Sequence, residues 1–494
     1  MKIKINWLLS LLIGGIFMTG CQKDLVESPK NFIAPDDFFA NVSQCTQAVN
    51  GAYSSLYSIY GAVNFWQVTD LGTDLIVTAD ANNLLFNNYT FNSGNTGASG
   101  MWSTLFGAIK NANLVINRVS KADIDTAMRA RLVGETKFLR GLYYFTLTNI
   151  FGDVPLWTDE LDPTAVGQLK RSPVADVRAQ VIKDLTDAAA ALPLKYAATD
   201  IGRATQGSAL ALLAKVYLYN KDWANAQAAA LRVVQANQYS LMPNYADVFD
   251  IQDRYKNNAE SIFEVQFRRD ASTNNNVKTH AMVTYYMMGI DPNNKTYAGV
   301  DFGNTTITGF YVMCPTLRLD SLFEPNDQRK NVVLGYGYNG QTFNRWPRPN
   351  HPWFGSKFWD LTATGQVSGK DLYVLRYVDV LLMLAEAYNE QGNTAGSVQY
   401  LNQVRERAGL ADLPAGPSQD DLRNEVMKER GIEFVGEFQR KWDLVRWGKL
   451  QEAVQSIAYD NPTGAVNIKP YMNLFPISAT DIVINPNLTQ NPGY

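Results

Sequence analysis

Histidine is almost absent from this chain of 494 residues, which contains only His280 and His351. Catalytic triads that use a histidine base, and zinc sites of the H-E-x-x-H kind, therefore have almost nothing to draw on. No other catalytic or metal-binding pattern stands out, although the paired carboxylates of a glycoside hydrolase would leave no fixed spacing in the sequence. We therefore expect a protein that is not an enzyme and that uses no metal or cofactor.

Runs of positive charge and cysteine residues are also scarce. No run of Lys or Arg occurs after residue 4, and the formal net charge is −3. Because a nucleic-acid partner would require a basic surface, we expect no such partner. The chain has three cysteines, Cys21, Cys45 and Cys314. Such a small number does not make a disulfide framework, and the sequence leaves open whether Cys45 and Cys314 pair.

Hydrophobic and aromatic residues are abundant by contrast. Hydrophobic residues make up 46% of the chain and charged residues only 18%. This balance supplies a sizeable core and excludes a highly charged disordered protein. Aromatic residues reach 12%, with 25 Tyr and 10 Trp, and a core accounts for only part of them.

The first twenty residues predict a targeting signal. Two lysines give the start a positive charge, and the apolar run over 5–18 is too short to cross a bilayer as a helix. The run ends in the sequence MTGC, which is similar to the lipobox of bacterial lipoproteins, with Met where Leu is usual. We predict residues 1–20 as a signal peptide, Cys21 as the lipidated residue and 21–37 as a tether. The alternative is an ordinary secretory signal followed by a chance cysteine.

A repeated apolar pattern organises the rest of the chain. Each copy has apolar residues at i, i+3, i+4 and i+7 of one helix, then a short turn and a second helix with small residues. The positions are Leu210, Leu213, Ala214 and Tyr217 in one copy and Leu381, Leu384, Ala385 and Tyr388 in the other. This pattern is typical of tetratricopeptide repeats, whose units must stack on one another to bury their apolar faces.

Four helix pairs can be drawn on this plan, together with long irregular segments. The predicted pairs are 38–58 with 102–119, 124–150 with 174–192, 206–219 with 223–237, and 372–391 with 394–407. Segments 61–100 and 240–370 are rich in loop-forming residues, apart from a predicted strand at 260–267 and a short helix at 315–323. Helices are also predicted at 419–435 and 437–457, before an extended tail. The expected fold is mainly α, a single domain over 38–494 with a tetratricopeptide superhelix, a large loop-rich face and little β structure.

The segment 429–448 is dense in charge and aromatic residues, and two interpretations are open. It could form an anion site, or its charges could satisfy one another within a helix pair, which we favour. Helical spacing predicts four neighbouring pairs, Arg430 with Glu433, Glu437 with Arg440 and Lys441, and Asp443 with Arg446.

The aromatic residues of the loop-rich face are better candidates for a binding site. Eight aromatic residues lie between 336 and 359, and a counterpart at 66–91 combines aromatic side chains with Asp and Asn. Sugar rings stack on aromatic faces, and their hydroxyls suit amides, guanidinium groups and carboxylates. The predicted ligand-binding residues are Trp66, Asp70, Asp74, Tyr89, Tyr285, Tyr286, Arg345, Trp346, Arg348 and Trp353. The alternative is that these aromatic residues only pack the loops together.

Taken together, these stretches resemble the SusD/RagB family of surface lipoproteins from Bacteroidetes. The resemblance covers essentially the whole mature chain in the family's order, with Phe106 in place of a family Tyr and Gly431 in place of a common Arg. It rests on the helix 102–119, GETKFLRGLYYFTLTNIFGDVPLW at 134–157, 205–223, 260–267, PTLRLDSLFEPNDQR at 315–329, ERGIEFVGEFQRKWDLVRWG at 429–448, and the ending LFPISATDIVINPNLTQNPGY.

The resemblance implies both a fold and a function. The implied fold is an α-helical core of four tetratricopeptide pairs with a loop-rich face. The implied function is capture of a glycan by a lipid-anchored protein on the outer face of the outer membrane, beside a SusC-like TonB-dependent transporter that imports the ligand. Peptide import by a RagB-like protein and a repeat scaffold with no ligand of its own remain alternatives, and a glycoside hydrolase comes last. The family's sugar-contacting residues lie in variable loops, so none is carried over to this chain.

Overall fold

The structure, a computed structural model, describes residues 38–252, 256–268, 278–290, 293, 295–303, 305–307, 309–344, 351–365 and 367–494. The predicted signal peptide, Cys21 and the predicted tether lie outside the described residues. So do three of the predicted ligand-binding residues, Arg345, Trp346 and Arg348.

Eight long helices form the four predicted pairs. They are α1 (Val42–Tyr60) with α2 (Ser99–Val119), α3 (Thr126–Phe151) with α4 (Val174–Ala191), α5 (Gln206–Tyr219) with α6 (Trp223–Gln235), and α7 (Tyr377–Glu390) with α8 (Thr394–Arg407). Successive pairs stack through contacts of α2 with α3, α4 with α5, and α6 with α7, and a further helix, α9 (Gln419–Phe434), packs on α7. The mainly helical repeat fold expected from the apolar pattern is therefore confirmed.

The turns of the two most regular pairs are built in the same way. In each, a residue with positive φ is followed by an Asp or Asn that caps the second helix, because its side chain accepts a hydrogen bond from that helix's backbone. The positive-φ residues are Lys221 (59°) and Gly392 (78°), and the capping residues are Asp222 and Asn393. In the second of these pairs the two helices approach so closely that position 396 requires glycine. A Cβ there would lie 2.7 Å from the ring of Tyr388.

The start of the predicted helix 372–391 is instead a strand. Leu372–Arg376 forms β2, which pairs antiparallel with β1 (Ser261–Val265), and α7 begins only at Tyr377. The run LYVLR contains residues that favour strands, and its partner lies more than 100 positions earlier in the chain. The prediction placed the start of this helix five residues too early, because it relied on the local apolar pattern alone. The strand predicted at 260–267 is confirmed.

The remaining elements are short. The predicted helix 437–457 is two helices, Arg440–Arg446 and Leu450–Ser456, because Gly448 takes φ 70° between them. The other short helices are Val63–Thr69, Leu84–Asn87, Pro163–Val166, Met282–Tyr286, Leu317–Leu322, Lys330–Val333, Pro462–Asn467 and Ala479–Ile484. Two-residue strands pair Ile76–Val77 with Cys314–Pro315, Leu334–Gly335 with Trp353–Phe354, Thr306–Ile307 with Thr364–Gly365, Thr296–Tyr297 with Val300–Asp301, and Gly337–Tyr338 with Gln341–Thr342.

One contiguous core joins the repeats to the loop-rich face. Most buried apolar residues of the helix pairs and of segments 65–91 and 282–359 belong to the same cluster. Cys45 and Cys314 lie in two separate smaller clusters, so these two thiols do not pair with each other. The loops are therefore folded down onto the repeats, and they carry much of the aromatic excess inside the protein.

Buried ion pairs connect the same parts of the chain. Arg376, at the end of β2, contacts Glu260 (2.5 Å) and Glu437 (2.8 Å), and Arg407, at the end of α8, contacts Glu260 (3.1 Å) and Glu433 (2.6 Å). Although burial opposes ionisation, the surrounding guanidinium groups lower the pKa of Glu433 to about 2. The network fixes β1, β2, α8 and α9 to one another.

The favoured interpretation of segment 429–448 is confirmed, since every charged side chain in it except Lys441 forms an ion pair with another described residue inside the protein. Of the predicted pairs, only Asp443 with Arg446 forms, at 2.8 Å. The other predictions are wrong, because the charged side chains of this segment pair with residues from other elements instead. The pairs that form are Arg430 with Asp379 and Asp443, Arg440 with Asp74, Glu433 with Arg329, Arg376 and Arg407, and Glu437 with Arg376 and Lys357.

Candidate functional site

Three aromatic side chains meet where the loop-rich face reaches the surface. The ring centroid of Tyr285 lies 5.4 Å from that of Trp66 and 6.4 Å from that of Phe310. Trp66 is fully buried, Tyr285 is half-buried and Phe310 is 46% exposed, so the three rings lead from the core to the solvent. We refer to Trp66, Tyr285 and Phe310 as the aromatic platform.

Backbone hydrogen bonds hold the two outer rings of the platform side by side. Segment 310–313 runs along the helix Met282–Tyr286, and the N–H groups of Phe310 and Met313 donate to the carbonyls of Thr284 and Tyr285, each at 2.8 Å. Between them the Tyr311 N–H donates to the Met287 carbonyl at 2.9 Å. Because backbone groups pair the two segments, the Cα of Phe310 is held beside the helix Met282–Tyr286 whatever its ring packs against.

A cluster of amides and one carboxylate lies beside the platform. The Asp80 carboxylate accepts hydrogen bonds from the backbone and side-chain N–H of Asn82, both at 3.2 Å, and from the amide of Asn83. Asn83 in turn accepts one from Gln67. Burial, and then the charge of Asp80, raise the pKa of Tyr285, so the carboxylate acts on the platform itself. We refer to Gln67, Asp80, Asn82 and Asn83 as the amide cluster.

This arrangement combines the two features that saccharide recognition needs. An exposed ring offers a flat apolar face, and adjacent amide and carboxylate groups offer oriented donors and acceptors for hydroxyl groups. The Asp80 carboxylate is held by three hydrogen bonds from its neighbours, so its orientation is fixed before a ligand arrives.

Two of the predicted site residues, Trp66 and Tyr285, belong to the aromatic platform. The two predicted carboxylates lie inside the protein instead. Asp74 forms a bidentate ion pair with Arg440 (2.7 and 2.8 Å), and Asp70 accepts hydrogen bonds from the Phe438 N–H and the Thr69 hydroxyl, both at 2.9 Å. Both carboxylates join segment 61–100 to residues 438–440, which follow α9, and we do not retain either as a direct ligand contact.

The remaining described aromatic residues of the prediction are also packed inside. The Tyr89 hydroxyl donates to the Gly72 carbonyl at 2.9 Å, Tyr286 stacks on Phe358 at 4.5 Å, and Trp353 meets the edge of Tyr297 at 4.8 Å. All three of the predicted residues are at most 3% exposed. For them the alternative stated above, that loop aromatics pack the loops together, describes the structure.

Phe310 and Asp80 were missing from the predicted site. Nothing in the local sequence distinguishes the exposed Phe310 from the buried aromatic residues around it, because its exposure results from backbone pairing with residues 284–287. A signal for Asp80 was available, since an Asp two residues before an Asn is typical of a capping turn that fixes a carboxylate at the surface.

Comparisons with known proteins agree with the geometry of the fold. A family model described as "SusD family" matches residues 235–494, and one described as "Starch-binding associating with outer membrane" matches residues 29–218. The chain is 28% identical to "SusD-like protein P25" of Formosa agariphila, over 96% of each chain.

Two solved structures are also similar. A SusD superfamily protein from Bacteroides vulgatus has a TM-score of 0.77 and 26% identity, over 92% of this chain and 100% of that one. A structure described as a laminarin binding SusD-like protein has a TM-score of 0.76 and 27% identity, with the same coverage of both chains.

Proposed function

This chain belongs to the SusD family, and from that premise we propose that it captures a glycan at the bacterial surface and delivers it to a SusC-like TonB-dependent transporter. The observation that carries the proposal is the aromatic platform, whose outermost ring is exposed and whose central ring, Tyr285, lies close enough to Asp80 of the amide cluster that, beyond burial, this charge raises its pKa. The likeness to a laminarin-binding protein and to a family described as starch-binding supports a saccharide as the ligand.

Removing either outer ring of the platform tests the proposal. Because a stacked ring contributes about 1 kcal/mol beyond its buried area, Phe310→Ala and Tyr285→Ala should each weaken glycan binding by about fivefold. The measurement is calorimetric titration with laminarin, starch and xylan as a first panel. Tyr471→Ala is the matched control, because Tyr471 is 38% exposed but contacts Tyr494 and lies outside the platform. Unchanged affinity of both platform variants for a glycan that the protein binds would refute the assignment.

The predicted contacts of Arg345, Trp346 and Arg348 stay part of this proposal. They follow Asn344, whose N–H donates to the Ala298 carbonyl at 2.9 Å. Trp346→Ala should cost about as much affinity as Phe310→Ala. If Trp346→Ala leaves binding unchanged while Phe310→Ala weakens it, the ligand contacts the platform alone.

We propose binding without turnover. The motivating observation is that the described carboxylates of the predicted site are held in hydrogen bonds and ion pairs with other side chains. A bound polysaccharide should therefore keep its chain length after prolonged incubation with the purified protein. Appearance of new reducing ends, abolished by one Asp or Glu substitution, would make the protein a glycosidase instead.

The proposed anchor is a lipid on Cys21, which suits the outer-membrane association in the description of the matching family. Among the residues that the structure describes, no helix combines the length and apolarity required to cross a bilayer. Cys21→Ala should move the protein from the membrane fraction to the supernatant. A variant that still sediments with membranes and resists alkaline extraction would contradict lipid anchoring through this residue.

The proposed partner is a SusC-like transporter, because a binder held at the surface by a lipid requires a pore to import its ligand. A permanent contact of this kind buries more than roughly 2,000 Å² and survives gentle detergent extraction. Purification through a C-terminal tag should recover a TonB-dependent transporter in near-equal amount. Recovery of the tagged protein alone from cells that make both would contradict the pairing.

A further inference from the structure

A groove of about 640 Å³ lies on the helical side of the protein, away from the loop segments that form the platform. Its walls come from the turn between α5 and α6, the end of α7, the first turns of α9 and residues 446–449. None of its lining residues belongs to the aromatic platform or to the amide cluster. Its volume falls in the range of pockets that take small organic ligands.

Two tryptophans line this groove and remain partly exposed. Five other described tryptophans are buried at 8% exposure or less, namely Trp66, Trp102, Trp157, Trp353 and Trp359. The two in the groove are Trp223, at the start of α6, and Trp447. Three described tryptophans, Trp223, Trp442 and Trp447, are partly exposed, and two of them meet in this one concavity, which is a surface suited to flat apolar ligand faces.

The Trp447 ring is held in place by its neighbours. Its indole N–H donates to the Glu386 carboxylate at 2.9 Å, and the Arg446 guanidinium lies 4.5 Å from its ring centroid. Arg446 also pairs with Glu386 at 2.8 Å. The ring is therefore fixed by a hydrogen bond and a cation–π contact, and no reordering of this side chain opposes ligand stacking.

The two arginines of the groove are matched within the protein. Arg423 forms a bidentate pair with Glu390 (2.6 and 2.9 Å), as Arg446 does with Glu386. Asn389 is 1% exposed, and its amide nitrogen donates to the Gln419 carbonyl at 2.9 Å. Its side-chain oxygen has no hydrogen-bond partner among the described residues. The groove thus offers paired charges and an unused acceptor, which suits an uncharged donor-rich ligand better than an ion.

We propose that this groove is a second saccharide-binding site, which stacks an uncharged oligosaccharide segment on Trp223 and Trp447 and hydrogen-bonds its hydroxyl groups. The ligand class rests on the function proposed above, but the site itself does not involve the platform. A polysaccharide held at two places on one protein gains avidity, because the second contact becomes intramolecular once the first is made.

Fluorine NMR on protein labelled with 5-fluorotryptophan tests both sites in one sample. Trp66 reports on the platform, Trp223 and Trp447 report on the groove, and the buried Trp157 is the control. Resonances are assigned by single Trp→Phe substitutions. The probes are the hexasaccharides of laminarin, starch, cellulose and xylan, and a pool of tryptic peptides serves as the alternative ligand.

Saccharide should shift the Trp223 and Trp447 resonances, and Phe310→Ala should abolish only the Trp66 response. In protein that carries Phe310→Ala, Trp223→Ala should weaken the remaining affinity by about fivefold. A shift at Trp66 alone would overturn this inference and leave the proposed function standing. Shifts at Trp223 and Trp447 alone would support the groove as a saccharide site and refute the assignment of the aromatic platform. A groove response to peptides without any response to saccharide, or no response to any probe, would also overturn it.

Discussion

Replacing Lys441 by methionine should change how the stability of this protein depends on pH. Lys441 is 2% exposed, and its ammonium group lies 5.1 Å from the ring centroid of Tyr89 and 4.9 Å from that of Phe475. It has no hydrogen-bond partner among the described residues, and the predicted contact with Glu437 does not form. Burial lowers the pKa of Lys441 to about 7, although the Asp70 carboxylate opposes this shift.

The sign of the effect follows from proton binding. Between the pKa of about 7 in the folded protein and the ordinary value of 10.5, the unfolded chain binds a proton at Lys441 that the folded protein does not. The stability contributed by this residue therefore rises with pH, by about 1.4 kcal/mol for each pH unit. In the methionine variant this contribution is absent. The difference in unfolding free energy between variant and wild type should therefore fall by about 2 kcal/mol between pH 7 and pH 9, because Lys441 is still half protonated in the folded protein at pH 7.

Urea unfolding of both proteins at half-unit steps over this pH range measures that difference. Titrating groups that do not interact with Lys441 contribute equally to the two proteins and cancel in the comparison. Lys449→Met is the matched control, because Lys449 is partly exposed and its ion pair with Glu452 lies at the surface. The difference in unfolding free energy between Lys449→Met and wild type should therefore not change with pH. Parallel stability curves for wild type and Lys441→Met would refute the argument, since they would mean that Lys441 keeps its proton in the folded protein throughout.

Three further predictions concern the fold. Asp74→Ala should cost about 3–5 kcal/mol of unfolding free energy, because it leaves Arg440 buried without its carboxylate, and chemical denaturation checks this. Leu384→Ala, in the fully buried stripe of α7, should cost about 2–5 kcal/mol by the same measurement, and a loss below 1 kcal/mol would contradict tight stacking of the repeats. Gly396→Ala should destabilise the protein, because the added Cβ clashes with Tyr388, whereas Gly51→Ala has open space around it and should stabilise by about 0.5–1 kcal/mol. Thermal melts measure both, and equal effects would show that helix propensity alone sets the stability change.

Local sequence patterns were sufficient to predict the helical repeats and the family. The stripe of Leu381, Leu384, Ala385 and Tyr388 predicts a helix with one buried face wherever it occurs, because the period of the apolar residues is a property of the local chain. Turn signals such as Gly392-Asn393 act within a few residues and fix where each helix ends. For the same reason the four pairs were found nearly to their ends.

Only the tertiary structure decided the partners of residues that lie far apart in the chain. Leu372–Arg376 is a strand because Ser261–Val265 lies beside it, and Asp74 is buried because Arg440 reaches it across more than 300 positions of sequence. The candidate site depends on the same kind of information. Trp353 and Phe310 are both aromatic residues of the loop-rich face, yet one is 3% exposed and the other 46% exposed. Their difference in exposure is set by packing between distant segments, and a side chain's own sequence neighbourhood contains no record of that packing.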